Sequence, residues 1–210
     1  MRGKGWVAGA GRALPFVLSL LVWAGALLSG GKGSDLDREI LSAFYLGEGA
    51  DYLLPWVVVT ELGGWKALIP LAGCASVYLF IKCRTRDALL LMGLVLGVRI
   101  LVEWQKILVG RMRPDYGHLV DVTSLSFPSG HAANALATYL ALAIFLLHSR
   151  IAVAAAVALS LLIGLSRLFL GVHWPSDVLG GWAWALMCTL AVLRFAPPDP
   201  RQPGPGGIRR

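Results

Sequence analysis

The sequence predicts an all-α, polytopic membrane protein of six transmembrane helices, with a short interfacial helix between the first and the second. Three observations carry this prediction. Of 210 residues, 57% are hydrophobic and only 15% charged, with a mean hydropathy of +0.68, far more apolar than an ordinary soluble domain. Several windows approach the ~20 apolar residues that cross a ~30 Å hydrocarbon layer. The polar residues gather between those windows. One integral membrane domain, 1–196, follows, and 197–210 reads as a disordered cytoplasmic tail because "APPDPRQPGPGGIRR" is too rich in Pro and Gly to pack.

The first apolar run, Ala13–Ser29, follows Arg2, Lys4 and Arg12 and precedes Gly30-Gly31, a layout shared with signal peptides. Its length exceeds the roughly 7–15 residues of a signal core, and its removal would leave an odd number of spans, so it is read as a retained helix. "SDLDREILSAFY" then opens with a capping serine, Ser34, and places Leu36, Ile40, Leu41, Phe44 and Tyr45 along one helical face. Such a helix suits the outer membrane surface or the side of the bundle. The second span, Trp56–Lys82, is broken by Gly63, Gly64 and Pro70, so its membrane part begins near Trp65. Ala88–Val109, Ala132–His148, Ile151–Leu170 and Val178–Phe195 complete the set.

Lys and Arg mark one side. Arg2, Lys4 and Arg12 precede the first span, Lys82, Arg84 and Arg86 separate the second and third, Arg150 separates the fourth and fifth, and Arg194, Arg201, Arg209 and Arg210 follow the sixth. By the positive-inside rule these segments and both termini are cytoplasmic. The acidic segment 30–64 and the loops 110–130 and 171–177 then face outward. This is the layout of a multi-pass membrane protein. The net charge of +7 comes with no basic, aromatic-interleaved stripe outside the spans, so nucleic acid is not a partner. Cys74, Cys83 and Cys188 are widely spaced and form no CxxC, and no phosphate-cradling glycine motif of a nucleotide site is present. No cofactor and no metal is implied, and oligomeric state leaves no signal.

The outward loops concentrate groups suited to phosphate. Pro128-Ser129-Gly130-His131 opens the fourth span. Proline suits a helix entrance, and the Ser129 and Gly130 amides would lie free at the positive helix end, where an anion binds. Alone, this is also what a capped helix start looks like. His173 and Asp177 lie four residues apart at the opening of the sixth span, where Pro175 fits the first turn. That spacing lets Asp177 hold one ring nitrogen and leave the other as a nucleophile, although a capping Asp beside an interfacial His gives the same pattern. Lys106, Arg113 and Arg167 supply positive charge on the side where the topology rule does not ask for it, although each taken alone also reads as a snorkelling residue at a span end. Arg99 and Glu103, four apart on the third span, read as a structural ion pair or as neighbours of the site. Arg111, Asp115, Tyr116, His118 and Asp121 lie in the outer loop without an assigned role.

Together the three blocks form a pattern: "KILVGRMRP", a Lys, six residues and Arg-Pro; "PSGH"; and "SRLFLGVHWPSD", a Ser-Arg, five residues, His, three residues and Asp. This order, on one side of six spans, closely resembles the signature of the type-2 phosphatidic acid phosphatase superfamily, the lipid phosphate phosphatases. The resemblance implies a metal-independent phosphatase. His173 would attack phosphorus and become a phosphohistidine, Asp177 would orient it, and His131 would serve as acid and then base. Lys106, Arg113, Ser129, Gly130 and Arg167 would hold the phosphoryl oxygens. It further implies a lipid phosphate substrate, undecaprenyl diphosphate first, then phosphatidylglycerol phosphate, phosphatidic acid or a lipid A phosphate. A lipid-to-lipid phosphotransferase would use the same histidine. A silent phospholipid-binding protein would not need both histidines and Asp177 in register, and a proton-linked transporter would need ionisable groups deep in several spans. The superfamily's haloperoxidase branch is soluble, unlike this chain.

Overall fold

A computed structural model describes residues 4–29, 34–47, 51 and 53–195. Among them all regular structure is helical: α1 Lys4–Leu28, α2 Asp35–Phe44, α3 Leu53–Glu61, α4 Trp65–Ile81, α5 Thr85–Val109, α6 Gly130–Ala141, α7 Arg150–Phe169 and α8 Pro175–Phe195. α6 runs on through a π-helical segment, Leu142–Leu147. The expected tail lies outside the described residues.

Four stretches are long and apolar enough to cross a membrane: Leu53–Ile81 taken across its break, Gly130–Leu147, Arg150–Phe169 and Pro175–Phe195. Ala13–Leu28 forms a shorter apolar helix. α5 has 25 residues, with Arg99, Glu103 and Lys106 set among apolar ones. Large hydrophobic side chains such as Leu54, Phe80, Ile107, Leu108 and Ile151 stand exposed on the outer faces, as expected where the solvent is lipid.

Helix ends follow local chemistry and extend beyond the apolar runs. Ser149 accepts the Ala152 amide and caps α7, Pro175 occupies the first position of α8, and Gly110 ends α5 at φ 65°. The break expected in the second span falls at 62–64, between α3 and α4, whereas α4 runs on through Pro70, where no break forms. Arg84, counted above as a topology charge, also has a structural task. It reaches Asp87, the Phe145 carbonyl and His148 Nε2, clamping the start of α5 to the end of the π-helical segment.

α2 forms where the capping serine predicts, with a reciprocal Ser34–Asp37 capping box. Its buried face, however, is Asp37 and Leu41, while Leu36 is 64% exposed. Asp37 turns inward because α8 offers its carboxylate two hydrogen-bond donors. α2 packs on α7 and α8.

The main core joins α4, α5, α6 and α8 around Leu91, Val98, Ala137 and Ala185. Among the helical glycines, Gly93 and Gly97 face open space, whereas Gly180 and Gly181 pack tightly. A Cβ on Gly180 would lie 2.5 Å from the Phe127 ring. Gly164 is tighter still: its Cβ would sit 2.1 Å from Trp182, whose ring Nε1 donates to the Ser160 carbonyl. Gly164→Ala should therefore destabilise the protein by about 1–3 kcal/mol through overpacking. Gly93→Ala should be neutral or slightly favourable. Thermal unfolding in detergent compares them, and equal melting points would remove this packing argument.

Candidate active site

The loop before α6 and the loop before α8 meet. The Ser129 amide donates to the Asp177 carbonyl at 2.9 Å, so it is not one of the free amides expected from the sequence. The approach depends on Gly181, where a Cβ would lie 2.7 Å from the Ser129 carbonyl oxygen. The Gly130 and His131 amides remain as first-turn donors that the helix itself cannot satisfy. Ser129 Oγ is fully buried without a hydrogen-bond partner.

His173 lies two residues before α8 and is 1% exposed. Its Nδ1 is 3.4 Å from Asp177 Oδ2 and 3.3 Å from Ser126 Oγ. The Ser126 hydroxyl donates to the same Asp177 oxygen. With that proton committed, Nδ1 supplies the hydrogen it shares with Ser126 and Asp177, and the lone pair falls on Nε2. Nε2 in turn lies 3.2 Å from Arg113 Nη1. Burial, followed by the charges of Arg113, Arg167 and Lys106, holds the ring well below its ordinary range of protonation. It is therefore neutral near pH 7, as a nucleophile must be.

Asp177 is completely buried. Its Oδ2 also accepts the Trp174 amide at 2.9 Å, and Oδ1 accepts Arg111 Nη1 at 2.9 Å. Arg111 extends the network: Nη2 donates to the Ala26 and Leu27 carbonyls at 2.8 and 2.9 Å, and Nη1 reaches Ser176 Oγ at 3.0 Å. Ser176 donates its amide and hydroxyl to Asp37 at 2.8 and 2.7 Å. The guanidinium also lies 4.6 Å from the centre of the Phe127 ring.

In front of His173 opens a cavity of about 280 Å³. His131, Gly130, Lys106, Arg113 and Arg167 line it with His173, whereas Asp177 and Ser129 stand behind the wall. Lys106 Nζ is held by Ser124 Oγ at 2.9 Å and Glu103 at 3.3 Å. Arg113 donates to the Ser124 and Val172 carbonyls, and burial lowers its guanidinium to about 10. Arg167 donates to Thr60, and its buried Nε lacks a partner. Glu61, Glu103, Asp121, Asn134, Arg99 and Trp65 also reach the cavity. The Arg99–Glu103 pair does not form: Glu103 serves Lys106, and Arg99 lies 5.8 Å from the Trp65 ring centre. Among the described residues no group of three or more His, Cys, Asp or Glu is placed to hold a metal ion.

Sequence reasoning missed the roles of Asp37, Thr60, Arg111, Ser124 and Ser126. Their partners are 11 to 139 residues away, and no local pattern marks them.

The model of the PAP2 superfamily matches residues 87–200. The chain belongs to the PAP2 superfamily. The matched region contains all three motif blocks, so the family likeness and the cavity coincide. Among relatives, phosphatidylglycerophosphatase B of Bacillus subtilis (strain 168) is 36% identical over 150 residues, 65% of this chain and 71% of that protein. The undecaprenyl-diphosphatase-like YbjG of Escherichia coli (strain K12) is 30% identical over 157 residues, 70% of this PAP2 chain and 77% of the relative. The crystal structure of a transmembrane PAP2-type phosphatidylglycerolphosphate phosphatase from Bacillus subtilis superposes with a TM-score of 0.74 at 30% identity, over 88% of this chain and 94% of that one.

Proposed function

We propose that this PAP2 protein is a membrane lipid phosphatase that works through a phosphohistidine on His173. The observation that carries the reading is His173 itself: Nδ1 is held by Asp177 and Ser126, and Nε2 lies at a cavity whose cations include Lys106, Arg113 and Arg167. Nε2 attacks the terminal phosphorus, displacing Arg113 from the ring nitrogen so that its fork takes phosphoryl oxygens instead. The unpartnered Nε of Arg167 and the first-turn amides at Gly130 and His131 add donors, with Ser129 Oγ behind them. The phosphorus–oxygen bond to the lipid breaks as His131 gives its proton to the leaving oxygen. His131 then takes a proton from water, which attacks the phosphohistidine and releases phosphate and neutral His173.

Six crossings serve this reading: α1, α3 with α4, α5, α6, α7 and α8, with α2 at the outer interface. The positive-inside pattern puts the cavity on the outer face of the bacterial inner membrane and both termini in the cytoplasm. A lipid could then keep its chains in the bilayer. Undecaprenyl diphosphate is the first substrate, in line with YbjG, and phosphatidylglycerol phosphate is the second, in line with the 36% identity to phosphatidylglycerophosphatase B.

The reaction proceeds without a divalent ion, because side-chain cations carry the charge that a metal would otherwise balance. Phosphate release from both lipids by the detergent-purified protein tests this. Activity should persist within about twofold in EDTA. Strict dependence on added magnesium or manganese would contradict the reading, and transfer of phosphate to another lipid instead of water would make the protein a phosphotransferase.

A further inference from the structure

Below the phosphate-holding end of the cavity, a polar strip descends into the membrane. On α6, Gly130, Asn134 and Thr138 follow one another at single-turn spacing and share a face. A Cβ on Gly130 would lie 3.5 Å from Lys106 Nζ and 3.8 Å from Asn134 Nδ2, so the Asn134 amide adjoins the phosphate cations. Asn134 Oδ1 and Thr138 Oγ1 are buried without partners, an arrangement that costs free energy unless something else satisfies them.

Arg99 faces this strip from α5. It stands seven residues before Lys106, about 10 Å along the axis and on the same face. It lines the cavity and also a small apolar cleft completed by Leu68, Ile69 and Val95. Among the described residues Arg99 makes no ion pair, and the carboxylate one turn away is engaged by Lys106. An arginine within a membrane helix that forms no ion pair, although Glu61, Glu103 and Asp121 share its cavity, is placed to take an anion from a substrate.

We propose that Arg99, with Asn134, forms a subsite for a second anionic phosphorus group, on the leaving-group side of the phosphate that His173 attacks. The subsite rests on the phosphatase reading and narrows its substrate class to lipids carrying two phosphorus groups. When Nε2 bonds to the terminal phosphorus and the bridging bond breaks, the departing oxygen and the second phosphoryl group share the electron pair. The Arg99 fork meets that charge in two parallel hydrogen bonds. A lipid monophosphate leaves an alcohol and offers Arg99 nothing to bind.

The test compares kcat/KM for a polyprenyl diphosphate and for the monophosphate of the same chain length, in wild type, Arg99→Gln and Arg99→Lys. The subsite predicts that Arg99→Gln lowers the diphosphate-to-monophosphate ratio by about 30-fold and that Arg99→Lys restores part of it. A wild-type measurement stands apart from any folding defect: methylenediphosphonate should inhibit at about tenfold lower concentration than methylphosphonate. An unchanged ratio together with equal inhibition by the two phosphonates would overturn the subsite while leaving the phosphatase intact. A wild-type protein that releases phosphate from neither lipid would overturn both.

Discussion

Replacing His173 with alanine should remove phosphohistidine formation and lower phosphate release by about 10⁴-fold or more, the scale seen when a nucleophile acting within a coupled set is lost. His131→Ala should behave differently. It slows formation and breakdown of the intermediate alike, least with a leaving group such as 4-nitrophenolate that needs no proton. Rapid-quench trapping of ³²P-labelled protein separates the two variants. The acid side of the profile is a further check. His173 stays neutral well below the ordinary histidine range, so lowering the pH from 7 to 6 does not protonate the nucleophile. Over that interval the unfolded chain takes up a proton that the folded chain refuses, so acidification costs stability, and His173→Gln should flatten that slope. Normal turnover by His173→Ala would end the mechanism.

Arg111→Leu should be nearly as damaging, by another route. The guanidinium is 2% exposed and serves Asp177, Ser176 and two α1 carbonyls at once. Removing it leaves a buried carboxylate without its cation, a change that costs about 3–5 kcal/mol. It also frees Asp177 from the geometry that fixes the His173 tautomer. The expected result is a large drop in melting temperature together with a fall in kcat that exceeds any change in KM. Arg111→Lys should recover only part, since an ammonium cannot span both the carboxylate and the α1 carbonyls. Asp37→Asn should be milder, about 1–3 kcal/mol, because it weakens the bonds from Ser176 without leaving a naked charge. If Arg111→Leu melts and turns over like wild type, the network has no bearing on the site.

The histidines and most of the cations that meet the cavity were legible because their chemistry is unusual for where they stand, whereas Thr60 and Ser124 on the same wall were not. Cations on the acidic side, a histidine at a helix mouth and a His–Asp spacing of four each have a plain reading alone, and it is their fixed order along the chain that makes them a pattern. Behind the wall, Asp177 and Ser129 were legible through their motifs, whereas Arg111 and Ser126 were not. Arg111 sits two positions from Arg113 and resembles one more loop charge, and Ser126 resembles any loop serine. Their function arises from partners that only the packing of α1, α2 and α8 brings near. Asp37 illustrates the limit most clearly: an amphipathic count puts the apolar residues of α2 inward, yet a carboxylate occupies that face because Ser176 can satisfy it. Arg99 fell between these groups, since helical spacing joins it to Glu103 while the structure gives that carboxylate to Lys106.

The contact between Arg111 and the end of α1 has a bearing on biogenesis. α1 is made before α8, yet the two pack side by side, and the carbonyls of Ala26 and Leu27 help fix the arginine that holds Asp177 on α8. During synthesis α1 must wait for its partner, and His173, the proposed nucleophile, lacks its Asp177 support until α8 has left the ribosome. A chain that stops short of α8, however much of it has been inserted, lacks the proposed site.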